Sequence, residues 1–409
     1  SINGGGLKFD YFSPNEKHRF NVFASAQHIN RDSYYGGGQD PNAYGNTTDL
    51  NWMAGSQYVY SFGKCIFMPA DLTAGIEFNQ DKLEDNMWGY HRTVDQKVNI
   101  GSAFFQNEWK NEHWGFLIGG RLDKHNLIDH VIFSPRANLR YNPTENINLR
   151  FSYSSGFRAP QAFDEDLHVE NVGGNVAMVE LADNLKEERS QSLSASADIY
   201  HRFGAFQVNF LVEGFYTKLS DVFALTDGEV VDGILTRTRY NAPGARVMGL
   251  TLEGKMAYLT KFQVQAGVTL QQSHYSEPHV WNKEAPAVKK MMRTPNTYGY
   301  FTATYTPIKP LSIALSGTYT GSMLVPHEPV PGFLEKPITV NTKDFFDIGL
   351  KAAYDFKLYK SMNLQVNAGV QNIFNAYQND FDKGADRDSG YIYGPSLPRS
   401  FFAGVKISY

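Results

Sequence analysis

Two kinds of segment carry the side chains suited to chemistry, and both interrupt a regular pattern. In SYSSGFRAPQAFDEDLH, Ser152 to His168, alternating small and aromatic residues stop at Phe157-Arg158-Ala159-Pro160 and give way to an acidic run ending in histidine. Gly156 permits a bulge or a close backbone approach, Arg158 can fork onto a carboxylate, and Pro160 removes a ladder donor and stops a strand. The stretch reads as the rim of a sheet, with Arg158 and His168 as candidate contacts to a ligand. The second kind is acidic. Asp32 with Asp40, and Asp380, Asp382, Asp386 and Asp388 together, offer the oxygen donors that calcium takes. DFDKGADRDSG lacks a regular D-x-D-x-D-G spacing, so a solvated or Arg387-paired loop competes with a Ca²⁺ site at Asp382, Asp386 and Asp388. Tyr34, Tyr35, Trp88 and Trp281 are candidate platforms for a flat or apolar ligand, or else members of an interfacial girdle.

Ser, His and Asp all occur, yet no spacing assembles a nucleophile, a base and an orienting group, so no enzyme is expected. Beyond that possible calcium, no cofactor is expected either. A net charge of -4 and a pI near 6.3 lack the basic footprint of a nucleic-acid partner. Cys65 stands alone and cannot form an internal disulfide.

The elements that must position these residues are strands. With 29 Phe and 24 Tyr, the chain is rich in strand formers and in the aromatics of membrane interfaces. No stretch approaches the ~18 apolar residues of a transmembrane helix. About 17 segments alternate in the period-2 manner of a two-faced strand. In SLSASADIYHRF, Leu193, Ala195, Ala197 and Ile199 share one face. In FFDIGLKAAYDF, Phe346, Ile348, Leu350, Ala352, Tyr354 and Phe356 do so, and in SFFAGVKISY, Phe401, Ala403, Val405, Ile407 and Tyr409. Short links alternate with long ones: 12–17 is short, 31–49 long, 63–70 short, 81–96 long, and so on to the end. An antiparallel meander with tight turns at one end and long loops at the other is the layout of an outer-membrane β-barrel. A mean hydropathy of -0.40 fits it, because only every second wall residue meets lipid.

Parity adds an expectation. The first and last strands both border the short-turn side, so the strand number is odd, whereas closed bacterial barrels have an even number. The segments then read as part of a larger barrel, best a 22-stranded transporter with a plugged lumen, leaving about five strands absent. The chain opens at SINGGG without an initiator Met, a charged n-region or an apolar h-region, so any export signal is expected to have been removed or to lie outside these residues.

Four motifs carry a family resemblance: SSGFRAP (154–160), NLKEERSQS (184–192), NAGVQNIFNAY (367–377) and GPSLPRSFFAGVKISY (394–409). Over nearly its whole length the chain resembles the C-terminal part of a TonB-dependent outer-membrane receptor. In that family a strand ending in G-F/Y-R-A-P enters a large extracellular loop, and a run like N-x-x-L-K-P-E-x-S returns the chain to the membrane. Leu185, Lys186, Glu188 and Ser190 match the return motif, while Glu187 stands where Pro is usual and Ala182-Asp183 replaces Asn-Pro. Gly369, Val370, Asn372, Ile373, Phe374 and Asn375 match the G-V-x-N-L-F-D run before the last long loop. The resemblance implies a Gram-negative outer membrane, a plug gripped by TonB that residues 1–409 do not include, and energised uptake of a ferric siderophore, haem or cobalamin. A surface lipoprotein is a further possible partner. It also implies a haem-ligating role for His168, whose place lies between two of the motifs. The acidic stretch 158–190 weakly disfavours an anionic cargo there, although VKKMMR (288–293) in another loop is basic. A passive diffusion porin and a barrel-borne lipase or protease are the alternatives.

Overall fold

Period-2 alternation puts successive side chains on opposite faces of a strand, and in the computed structural model that pattern becomes a wall. The structure describes all residues except 35–43, 89–91, 161–175, 227–228, 232–233, 360, 385–386 and 389. Among the described residues the main sheet has 18 strands. One of them, Val288–Lys290, is a three-residue strand beside Phe262–His279, and the other 17 form the wall, as the alternation predicts. Each wall strand pairs antiparallel with the next along the chain, from Ile2–Phe12 on His18–Tyr34 to Met362–Gln371 on Ser400–Ser408. Among the described residues these two edge strands have one partner each.

The predicted asymmetry of the ends is present. Eight tight links, such as 66–67, 145–146 and 204–205, lie at one end, and eight connections, all but 88–91 longer, at the other. Two loops differ from expectation. The sequence predicts long loops at 31–49 and 81–96, but Tyr44–Cys65, Met68–Met87 and Arg92–Lys110 run into both as strands of 22, 20 and 19 residues. A strand crosses a bilayer in ~9–11 residues, so about half of each projects beyond it. Above the lipid both faces are polar, which hides the alternation from the sequence, while the ladder continues and side chains bond across it. Thr47, for example, donates its hydroxyl to Asp85 at 2.6 Å.

The wall has no apolar interior of its own. Its outward face is apolar: Phe401 is 79% exposed, Val405 67% and Ile76 63%, surface that lipid covers. Its inward face is polar. Arg121 donates to Glu77 at 2.9 Å, to Asp123 at 2.8 Å and to Ser102 at 2.7 Å. Gly75 is required by a close approach: a Cβ there would lie 2.3 Å from Phe104 Cζ, so the ring lies directly over the bare backbone. At the tight-turn end, Phe67 stacks on Trp109 (centroids 5.6 Å apart) and Trp114 on Tyr141 (4.2 Å), a girdle of amphipathic rings.

The long connections carry structure that alternation did not announce. Ile234–Ala242 pairs antiparallel with Val222–Leu225 and Glu229–Val231, and parallel with Val176–Leu181. Leu324–His327 and Ile338–Asn341 form a hairpin, and Met323, Val325 and Tyr391 make a small apolar core under it. No helix among the described residues is long and apolar enough to cross a membrane.

Candidate functional site at the loop-bearing rim

The strand Ile147–Arg158 ends where the sequence places its rim. Arg158 lies opposite Glu188 and Gly156 opposite Ser190, so two of the motifs face each other across one ladder. A Cβ on Gly156 would sit 3.1 Å from Ser190 Oγ, which is why the small residue and the small hydroxyl occur together. The Arg158 guanidinium lies 5.5 Å from the Phe223 ring centre and that of Arg239 lies 5.7 Å from the same ring, a cation–π arrangement. The Phe223 amide donates to the Glu188 carboxylate at 3.0 Å. Arg158 is exposed and Arg239 fully buried, so of the two only Arg158 faces solvent.

Glu187, which stands where the family has Pro, acquires its own role. Its side chain is 3% exposed and accepts from Arg189 at 2.6 Å and from His130 at 3.1 Å, tying the return strand to the loop 126–131. Burial pushes its carboxyl up, but bonds from its own backbone, His130 and Arg189 outweigh this and hold it below the ordinary glutamate value.

The other candidates fall in separate places. Tyr34 is exposed at a strand end, its ring 4.9 Å from that of Tyr44, and Trp88 is 61% exposed at a neighbouring tip. Trp281 is half-buried, and its indole N–H is buried with no hydrogen-bond partner. Asp32 accepts from Asn46 at 2.9 Å, which occupies it within the ladder. His168, Tyr35, Asp40 and Asp386 lie outside the described residues.

The acidic cluster is drawn into a cap made by three loops. Asp382 Oδ2 lies 2.8 Å from His327 Nε2 and accepts the Asp388 amide at 3.2 Å. Asp388 accepts the amides of Glu328 and Gly390 at 2.9 and 2.8 Å. Asp380 accepts from the hydroxyls of Tyr391 and Tyr393, and burial together with its charge raises both phenols. Gln378, fully buried, donates to the Tyr391 carbonyl at 3.0 Å and accepts the Tyr393 amide at 2.8 Å. Arg293, from the basic run, donates to the Ile392 carbonyl at 2.8 Å and the Gly390 carbonyl at 2.5 Å, a structural use of that cation. Burial lowers its guanidinium, an effect that Asp388 opposes. Sequence reading missed His327 and Gln378. The only cue was the proline-flanked VPHEPVPG (325–332), which marks a rigid loop but not its partner.

An apolar groove of about 890 Å³ among Phe151, Leu193, Tyr216, Leu250 and Leu270 opens on the outward face. On that face it borders the acyl chains of the bilayer, away from the polar inward face.

A wall of 17 antiparallel strands, lipid-faced outside and polar inside, with every long connection at one end, defines the fold before any comparison. The family model described as TonB dependent receptor-like, beta-barrel matches residues 2–373. The chain belongs to the TonB-dependent receptors. It is accordingly an outer-membrane protein of the Gram-negative envelope, of a family of receptors and transporters, not enzymes. A variant of the ferric enterobactin receptor PfeA from Pseudomonas aeruginosa shares the fold with a TM-score of 0.72 at 17% identity, covering 99% of this chain and 61% of that one. The siderophore receptor PirA from Acinetobacter baumannii aligns with a TM-score of 0.71 at 15% identity, over 99% of this chain and 62% of that one. The FrpB iron transporter from Neisseria meningitidis aligns at 0.68 and 15%, over 99% and 62%. The chain thus spans about three fifths of the length of these structures. No curated protein sequence matches it.

Proposed function

We propose that the chain is the greater part of the barrel of a receptor that imports a scarce, bulky, iron-bearing nutrient, best a ferric siderophore, by coupling to TonB. The family match over a wall with one elaborate, long-looped end is the observation that carries this reading. A lumen of this width needs a plug to be selective, and the coupling protein acts on such a plug, which we assign to the part of the receptor outside residues 1–409. The similar structures named for ferric enterobactin, siderophores and iron favour that cargo class over cobalamin. Arg158, exposed beside Phe223 at the rim, is the cation assigned to ligand contact. Tyr34, Trp88 and Trp281 are the assigned aromatic platforms.

The test is growth of an iron-starved deletion strain carrying the receptor gene, supplied with ferric siderophores, haem or cobalamin in turn. Rescue by a ferric siderophore, reduced by Arg158→Ala, supports the reading. Rescue by haem alone, abolished in His168→Ala, would replace the siderophore with haem. Rescue by none of them removes the uptake function.

A further inference from the structure

We propose that His327, Asp382 and Asp388 form a binding site for one first-row divalent cation of the zinc class, which clasps the loop 321–344 to the loop 372–399. The three side chains come from two connections more than fifty residues apart in sequence, as the His327–Asp382 separation shows. Each offers one ligand atom, and these atoms all lie within 4.8 Å of one another. Donors bound to one such metal at ~2.0–2.2 Å stand ~3–4 Å apart, so the His327–Asp382 pair at 2.8 Å opens slightly and Asp388 closes in by a small side-chain adjustment.

The imidazole decides the metal. Calcium takes six to eight oxygens, whereas imidazole suits zinc, iron, nickel and copper, and carboxylates complete a mixed nitrogen and oxygen set. The acidic run alone suggested calcium at Asp382, Asp386 and Asp388, and the arrival of His327 from another loop moves the chemistry to a softer ion. The donors are also held. The His327 ring stacks on Tyr391 with centroids 3.8 Å apart and planes 7° from parallel, which fixes the direction of its nitrogens. The Asp388 carboxylate is oriented by the Glu328 and Gly390 amides, the outer-shell support that metal ligands need.

Charge points the same way. Side chains of His327 and Asp382 are 7% and 4% exposed, and Asp388 is 8% exposed. Asp380 adds a carboxylate next to Tyr391 and Tyr393. Facing these among the described residues, Arg293 donates to the carbonyls of Gly390 and Ile392 and also feels the charge of Asp388, one cation against three carboxylates. Buried carboxylates set this close are stabilised by a cation held between them. Without metal, the 2.8 Å His327–Asp382 hydrogen bond keeps the place, and the ion displaces the proton shared by that pair, which is released to solvent, and takes the lone pair of Nε2.

The full receptor, purified in detergent and stripped with EDTA, is titrated with Zn²⁺ by calorimetry and with Co²⁺ by visible absorption. The expected result is saturable binding of one equivalent, a visible Co²⁺ ligand-field band, and no competition from excess Ca²⁺. His327→Gln and Asp388→Asn each weaken binding at least about tenfold, while Lys290→Gln in the neighbouring loop leaves it unchanged. Equal binding in both ligand variants overturns the site. Absence of a Co²⁺ band in the unmutated receptor overturns it regardless of how the variants fold, and leaves a hydrogen-bonded clasp only.

Discussion

The strand Arg92–Lys110 and the loop 372–399 illustrate two ways of holding chain in place. The strand is laddered along both edges, to Met68–Met87 and Trp114–His125, and its side chains matter by face: Phe105 meets lipid and Ser102 the lumen. Among its described residues the loop has no ladder. Its course depends on single side chains, Gln378 threading backbone groups, Tyr391 stacked on His327, and Asp388 taking two amides. Backbone ladders tolerate substitution wherever the polarity of the face is kept. A loop cap built on individual contacts fails at individual residues.

That contrast is most exposed by Tyr391→Ala. Removing a ring that is 5% exposed from the small core with Met323 and Val325 costs about 3–5 kcal/mol, nearly all of it in the cap. Hydrogen exchange at Leu324–His327 and Ile338–Asn341 then rises sharply while wall amides stay protected. Simultaneous loss of protection in the wall would make cap and wall one cooperative unit and end the distinction.

Within the wall, face alone sets the cost. Phe105→Arg places a cation against lipid and destabilises by about 2–4 kcal/mol near the bilayer centre. Gln263→Arg, on the polar inner face, stays within about 0.5 kcal/mol. Denaturant unfolding in lipid vesicles compares them, and equal losses would mean the faces are misassigned.

A smaller effect sharpens the picture at the rim, where Glu187 links His130 and Arg189. Its carboxyl is held below the ordinary value in the folded state. The stabilisation is therefore present above the unfolded-state value, near pH 4, and is lost as pH falls through the lower folded value. Glu187→Gln costs about 1–2 kcal/mol at neutral pH, and below that window the variant and the parent converge. A difference that persists unchanged into acid would assign the effect to packing instead of charge.

How much of this was legible in the sequence follows from the same contrast. The outward face of FFDIGLKAAYDF was readable because lipid imposes one polarity on every second residue, and Phe346, Leu350, Tyr354 and Phe356 are indeed exposed on it. Several tight links, such as 13–17, 145–146, 204–205 and 309–310, were readable because Pro, Gly or Asn punctuates them. Above the bilayer the rule lapses, so the upper halves of Tyr44–Cys65 and Met68–Met87 looked like loop. SSGFRAP and the return motif marked the two strand ends at the rim, and the structure supplied their register, Gly156 opposite Ser190. Nothing local announced that His327 would meet Asp382, since a contact across 55 positions between two loops has no period and no motif. The role of Glu187 was visible only as a departure from a pattern, and its reason needed His130 in space.

The central claim is energised uptake, and accumulation of radiolabelled ferric siderophore by cells carrying the intact receptor tests it most directly. The account predicts accumulation against a gradient that stops when the proton-motive force is collapsed or TonB is deleted, with binding at the surface retained. Entry that continues unchanged in de-energised cells would contradict it and make the barrel a passive pore.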